Sequence, residues 1–205
     1  MKLNIPTKLE EVTLATYIKW EISDKTDDDM IRVFCGVDPK LIPKKTRDEV
    51  VNTLTLMLYQ DVQFKKVFTY NGVKFGFIPK LDDISGGEYI DLVGNDVIKG
   101  YMSDTAQWGK AMAVLFRPVT RIKRNWFKRN ADPLYDILPY SGADNWEKVM
   151  LKTPCVYFLG AMVFFYDLTN ELKNYTLDYL MQAMREAQPK VDLTENGGGM
   201  LVSEL

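Results

Sequence analysis

The chain contains no histidine. That removes the commonest general base near neutral pH and the commonest metal ligand. Cysteine is nearly as scarce, with only Cys35 and Cys155 in 205 residues. Both sit in apolar helical surroundings far apart in sequence, so they read as buried free thiols of a reducing compartment rather than as a disulfide. Neither sign of charge prevails: 26 Lys and Arg against 28 Asp and Glu give a net charge of −2. No global field therefore draws the chain to nucleic acid or to an anionic membrane. No apolar run reaches the roughly 20 residues a membrane span needs, because Asp167 ends the longest one. The opening MKLNIPTKLEEV has no apolar core of a secretory leader. The motifs G-x-S-x-G, C-x-x-C and H-E-x-x-H are absent, and Gly197–Gly199 is followed by no Lys-Ser/Thr of a phosphate loop. The acidic stretch Asp24–Asp29 fails as an EF-hand loop, since Asp29 stands where Gly is needed and Cys35 where Glu is needed. Its acids suit a helix start. No catalytic residue, metal site, cofactor or small-molecule substrate is expected.

What is present is a hydrophobic content of 46%, ample for a core. Thr13 is a candidate cap for a helix with Leu14, Tyr17, Ile18 and Ile22 on one face. A second helix, MIRVFCG, closes on Gly36. Thr46-Arg-Asp-Glu49 has the form of a capping box opening a helix that buries Val50, Leu54, Met57 and Leu58. Around Asn71-Gly72, QFKKVFTY and VKFGFI alternate as two strands of a type I′ hairpin. Its register sets Tyr70 against Val73 and Phe68 against Phe75, with Phe64, Phe68, Tyr70, Val73, Phe75 and Phe77 on one face. A lone hairpin is marginal in water. Those aromatics therefore must pack on helices or a third strand, for which Leu3–Ile5 is the candidate. Ser85-Gly-Gly-Glu88 is another capping box. Trp108, Ala111, Met112 and Leu115 form a helical stripe that Arg117-Pro118 stops, and residues 119–144 read as irregular.

The stretch Thr153–Gln188 organises the rest. Thr153 and Pro154 suit a helix start, and Cys155 to Tyr166 carry no charge, so the helix is expected to be buried on every face. A straight helix over the stretch would span roughly 52 Å, more than the about 43 Å across a globule of this size. A break at Asn174–Thr176 is expected. The fold class is α+β, predominantly α-helical: a helical core around a long C-terminal helix with a small antiparallel β-hairpin sheet. Residues 1–188 form one globular domain and 189–205 a flexible arm. In that arm, the glycines give reach and Met200, Leu201, Val202 and Leu205 give an apolar anchor for docking on a subunit.

One basic segment stands out. Arg117, Arg121, Lys123, Arg124, Lys128 and Arg129 fall in a stretch without acids, interleaved with Trp126 and Phe127. Such a loop can track phosphates and stack on bases, or face another subunit, with its aromatics anchored in the core.

KFGFIPKLDDISGGEYIDL at 74–92 and KAMAVLFRPV at 110–119, with IPTKLEEVTLATYIKW and LGAMVFFYDLTNEL, resemble a loosely defined set of proteins of similar length. These come from tailed phages of Bacteroidota, including crAss-like phages. The resemblance spans most of residues 5–172 and leaves out the tail. It implies a structural, packaged or assembly protein without catalytic residues. Such a protein would be made in the bacterial host cytoplasm and located in the virion. It would work by protein–protein contacts with other virion proteins, in many copies, in the portal–tail assembly or inside the particle. Two alternatives follow: a tail assembly chaperone absent from the mature virion, or a small nucleic-acid-binding protein using 117–129. No membrane contact is expected.

Overall fold

Local capping chemistry sets where the first helices begin. Thr13 accepts the Thr16 N–H on its hydroxyl at 3.2 Å and opens α1 (Leu14–Glu21). Thr26 and Asp29 form a reciprocal capping box at the start of α2 (Asp27–Cys35), which ends on Gly36 at φ +67°. Asp27, Asp28 and Asp29 of the 24–29 stretch are thus first-turn residues, and Asp28 and Asp29 lie on Arg32 and Arg47. α3 (Lys44–Leu58) begins directly after Pro43 without a side-chain cap. The box expected at Thr46–Glu49 is not formed, because both residues already lie inside the helix. Val50, Leu54 and Met57 are buried as their spacing requires, whereas Ile22, just past the end of α1, is 69% exposed. The computed structural model describes residues 3–78, 105–123, 134–167 and 181. Contacts divide the chain into a unit Met1–Phe165 and a unit Tyr166–Leu205, and only Tyr166, Asp167 and Met181 of the second are described. The boundary expected at 188/189 lies outside the described residues, as do the 85–88 box, the break at 174–176 and the arm.

The hairpin is as its turn dictates. β1 (Val67–Tyr70) and β2 (Val73–Phe77) pair with Tyr70 opposite Val73 and Phe68 opposite Phe75, across Asn71 at φ +47° and Gly72 at φ +78°. Its third strand is not Leu3–Ile5, which stays outside the sheet. It is β3 (Phe116–Lys123), antiparallel to β2, and β4 (Leu134–Ile137) follows it to give the order β1-β2-β3-β4. Residues 116–123 were expected to end a helix and begin a loop. Pro118 is tolerated because it faces Phe75. In this hairpin Phe75 is at a hydrogen-bonded pair with Phe68, so its N–H and C=O point to β1 and ask nothing of Pro118. The proline then lies beside an irregularity at Val119/Arg121 where the β4 ladder begins, the kind of place that accepts proline in a sheet.

One sheet face is the aromatic core. Phe68 stacks on Tyr157 at 4.0 Å between centroids, Phe75 meets Trp146 edge-on, and Phe77 lies among Phe64, Phe116 and Phe164. On the other face Tyr135 reaches from β4 across to the hairpin, its hydroxyl donating to the C=O of Phe77 at 2.8 Å and of Lys66 at 3.2 Å. Gly76 leaves the room for that ring.

The enclosed helix is α4 (Trp108–Leu115), in which every residue except Lys110 is buried. α5 (Asp144–Met150) packs beside it. α6 occupies 155–167 and is not buried all round: Val163 is 41% exposed and Tyr157, Leu159, Phe164 and Phe165 are half-buried. The expected central role thus passes to α4, whose Gly and Ala residues let neighbours approach on every side. Thr153 is buried and donates its hydroxyl to the Met150 C=O at 2.7 Å. The start of α6 is stitched to the start of α1 by Leu14 N–H to Thr153 C=O and Cys155 N–H to Val12 C=O, both 2.8 Å. The described core is therefore a mixed α and β fold with a four-stranded antiparallel sheet.

Candidate functional site

The basic segment divides on folding. Arg117 is 9% exposed, with its guanidinium over the Tyr140 ring at 5.9 Å. That burial removes it from the accessible basic surface expected of it. Arg121 is exposed on β3, and Lys123 ends that strand. Arg124, Trp126, Lys128 and Arg129 lie outside the described residues, as do Met200, Leu201, Val202 and Leu205. The two thiols are free: Cys35 is half-buried and Cys155 fully buried. Burial raises the Cys155 thiol to about 12. It also raises Tyr17, with the Glu21 carboxylate adding to the effect. Both stay protonated across the neutral range, Cys155 within the core and Tyr17 half-buried against it.

Two features are formed by residues that the sequence did not single out. The first is the outer edge of β1. A two-residue hairpin makes Tyr70/Val73 and Phe68/Phe75 the hydrogen-bonded pairs. Val67 and Thr69 therefore turn their N–H and C=O away from β2, and no strand pairs with them among the described residues. Lys65, Lys66 and Lys74 are exposed around this edge, as is Thr69 itself. Lysines at an edge discourage adventitious pairing, and they equally favour an acidic strand as partner.

The second is a cleft of about 550 Å³ enclosed by the segment Asn4–Thr7, the beginning of α1 and the end of α2. Glu11 is the one charged side chain among its described lining residues; its Oε2 accepts the Thr7 N–H at 2.8 Å.

The chain matches no protein-family model, no curated protein and no solved structure. Its candidate sites therefore stand on their own geometry. Among the described residues no group of His, Cys, Asp and Glu is placed to hold a metal ion, and no helix is long and apolar enough to cross a membrane.

Proposed function

We propose that this chain is a non-catalytic virion protein of a tailed phage, a component of the portal–tail assembly or a protein packaged within the particle, acting through contacts with other virion proteins. It is made in the host cytoplasm and resides in the virion. The resemblance carried by residues 74–92 and 110–119 supports the biological setting. The structural observation that carries the mode of action is the outer edge of β1, with which no strand pairs among the described residues. Strand addition to such an edge supplies main-chain hydrogen bonds, with side-chain contacts giving specificity. The segment 190–205 of a neighbouring copy has the matching chemistry: Val191 and Leu193 alternate with Asp192 and Thr194, Glu195 follows, and Met200, Leu201, Val202 and Leu205 are apolar. Ordering such a segment costs about 1–2 kcal/mol per residue in backbone entropy. Burying four large apolar side chains returns roughly 1.5–3 kcal/mol each. The balance calls for added strand hydrogen bonds and for many copies acting together, which a β edge in a repeating assembly offers.

The test is Thr69→Pro. It deletes the outward N–H while leaving every β1–β2 bond in place. The isolated protein should melt within a few degrees of the parent, while incorporation into particles falls sharply. Charge reversal at Lys65 and Lys74 should weaken incorporation in the same direction. Normal incorporation of both variants would overturn the proposal.

A further inference from the structure

We propose that the cleft between Asn4–Thr7, α1 and α2 binds an organic cation, an ammonium or guanidinium group on an aliphatic stem. The inference stands on the cleft itself and does not depend on the assembly role. Glu11 is the single charged residue among the described lining residues, and no ion pair among the described residues engages its carboxylate. The Thr7 N–H takes Oε2 and leaves Oε1 for a ligand. α2 ends in the same wall, with Val33, Phe34, Cys35 and Gly36 all lining the cleft. The last carbonyls of a helix have no intrahelical partner and carry the negative end of its dipole. The basic residue that could offset that end, Arg32, is held by Asp28 and Asp29 at 3.8 and 3.1 Å and does not line the cleft.

Further polar groups complete the wall. The hydroxyls of Thr13 and Thr16 lie 2.9 Å apart, and the backbone N–H and C=O groups of Asn4 and Ile5 are unpaired among the described residues. Ile5, Val12 and Phe34 supply apolar surface for a stem. The start of α1 also borders the cleft, but its first N–H groups are already taken by the C=O of Thr153 and Leu151 and by the Thr13 hydroxyl, so an anion would meet the Glu11 carboxylate without a free donor from that helix. A volume of about 550 Å³ exceeds a bare ammonium ion and suits a cation with its stem.

Cys35 reports occupancy, because this half-buried free cysteine is one of the residues that line the cleft. The other thiol, Cys155, is fully buried and donates to the Leu9 C=O. The rate of alkylation of the full chain by iodoacetamide is measured against increasing agmatine and, separately, N-acetyl-arginine amide. Saturable slowing is expected, with citrate at equal ionic strength giving none. Protection by agmatine alone identifies a free amine as the source, and protection by the blocked arginine identifies a side chain of a peptide. Glu11→Gln keeps an acceptor for Thr7 and, measured against its own rate without ligand, should need about fivefold more agmatine for half-protection. No protection at millimolar cation, equal protection in Glu11→Gln, or equal slowing by citrate overturns the proposal.

Discussion

Gly76→Ala should destabilise the protein through a single ring. A Cβ at Gly76 would collide with Cε2 of Tyr135 and stand 2.9 Å from both Tyr135 Cδ2 and Val119 Cγ2. An aromatic ring cannot fold aside as a flexible chain end does. This one is also tethered, since its hydroxyl donates to the C=O of Phe77 at 2.8 Å and of Lys66 at 3.2 Å. Overpacking of this kind costs about 1–3 kcal/mol, and displacing the hydroxyl from its partners adds about 1 kcal/mol. Replacing a strand glycine by alanine returns about 0.5–1 kcal/mol of chain entropy. The net loss is about 1–3 kcal/mol. For a chain of this size that lowers Tm by about 2–12 °C. Urea denaturation followed by tryptophan fluorescence measures it. The double variant Gly76→Ala/Tyr135→Ser should cost less than the sum of its parts, because the ring that suffers the clash is gone. A Gly76→Ala protein as stable as the parent, or strict additivity in the double variant, would refute the account of this face.

Gly160→Ala should also destabilise, by about 1–3 kcal/mol, although alanine is the better helix former by about 1 kcal/mol. Its Cβ would stand 2.7 Å from the Gln63 backbone oxygen and 3.2 Å from the Phe64 Cα; a raised Tm would show that α6 does not approach that backbone. Asn71→Val should cost about 1–2 kcal/mol, since a β-branched residue resists the positive φ of this turn; an unchanged Tm would mean another turn type. The Thr26 hydroxyl is the main cause holding the Asp29 carboxyl below its ordinary range, with Arg32 helping. In Thr26→Ala the Asp29 midpoint should move upward in an NMR titration. A carboxyl depressed in the folded state stabilises above its ordinary range, and that contribution disappears as pH falls through the folded value. The variant should therefore lose less stability than the parent across that acidic window, and an unmoved midpoint would contradict the capping box.

Features governed by neighbours in sequence were legible: the Thr13 cap, the Gly36 stop, the Asn71-Gly72 turn with its register, and the stripe Trp108, Ala111, Met112, Leu115. Features governed by distant partners were not. Residues 116–123 carry a proline and three cations, which argues against a buried strand unless the pairing with Phe75 is known. The all-apolar run of α6 suggested enclosure on every side, yet the surrounding elements enclose α4 instead. Thr46–Glu49 has the form of a capping box, but Pro43 starts the helix earlier. The edge of β1 and the cleft are both products of strand order and helix placement. Of these, only the hairpin alternation and the acid at Glu11 leave a trace in the sequence. The basic segment looked like one surface because its residues are close in sequence, whereas β3 buries Arg117 and exposes Arg121.

Quantitative mass spectrometry of purified phage particles, alongside the lysate from which they came, tests the assembly role most directly. Many copies of the chain per particle, retained through gradient purification, are the expected result. Abundance in the lysate with none in the particles would contradict a virion component and identify an assembly factor instead.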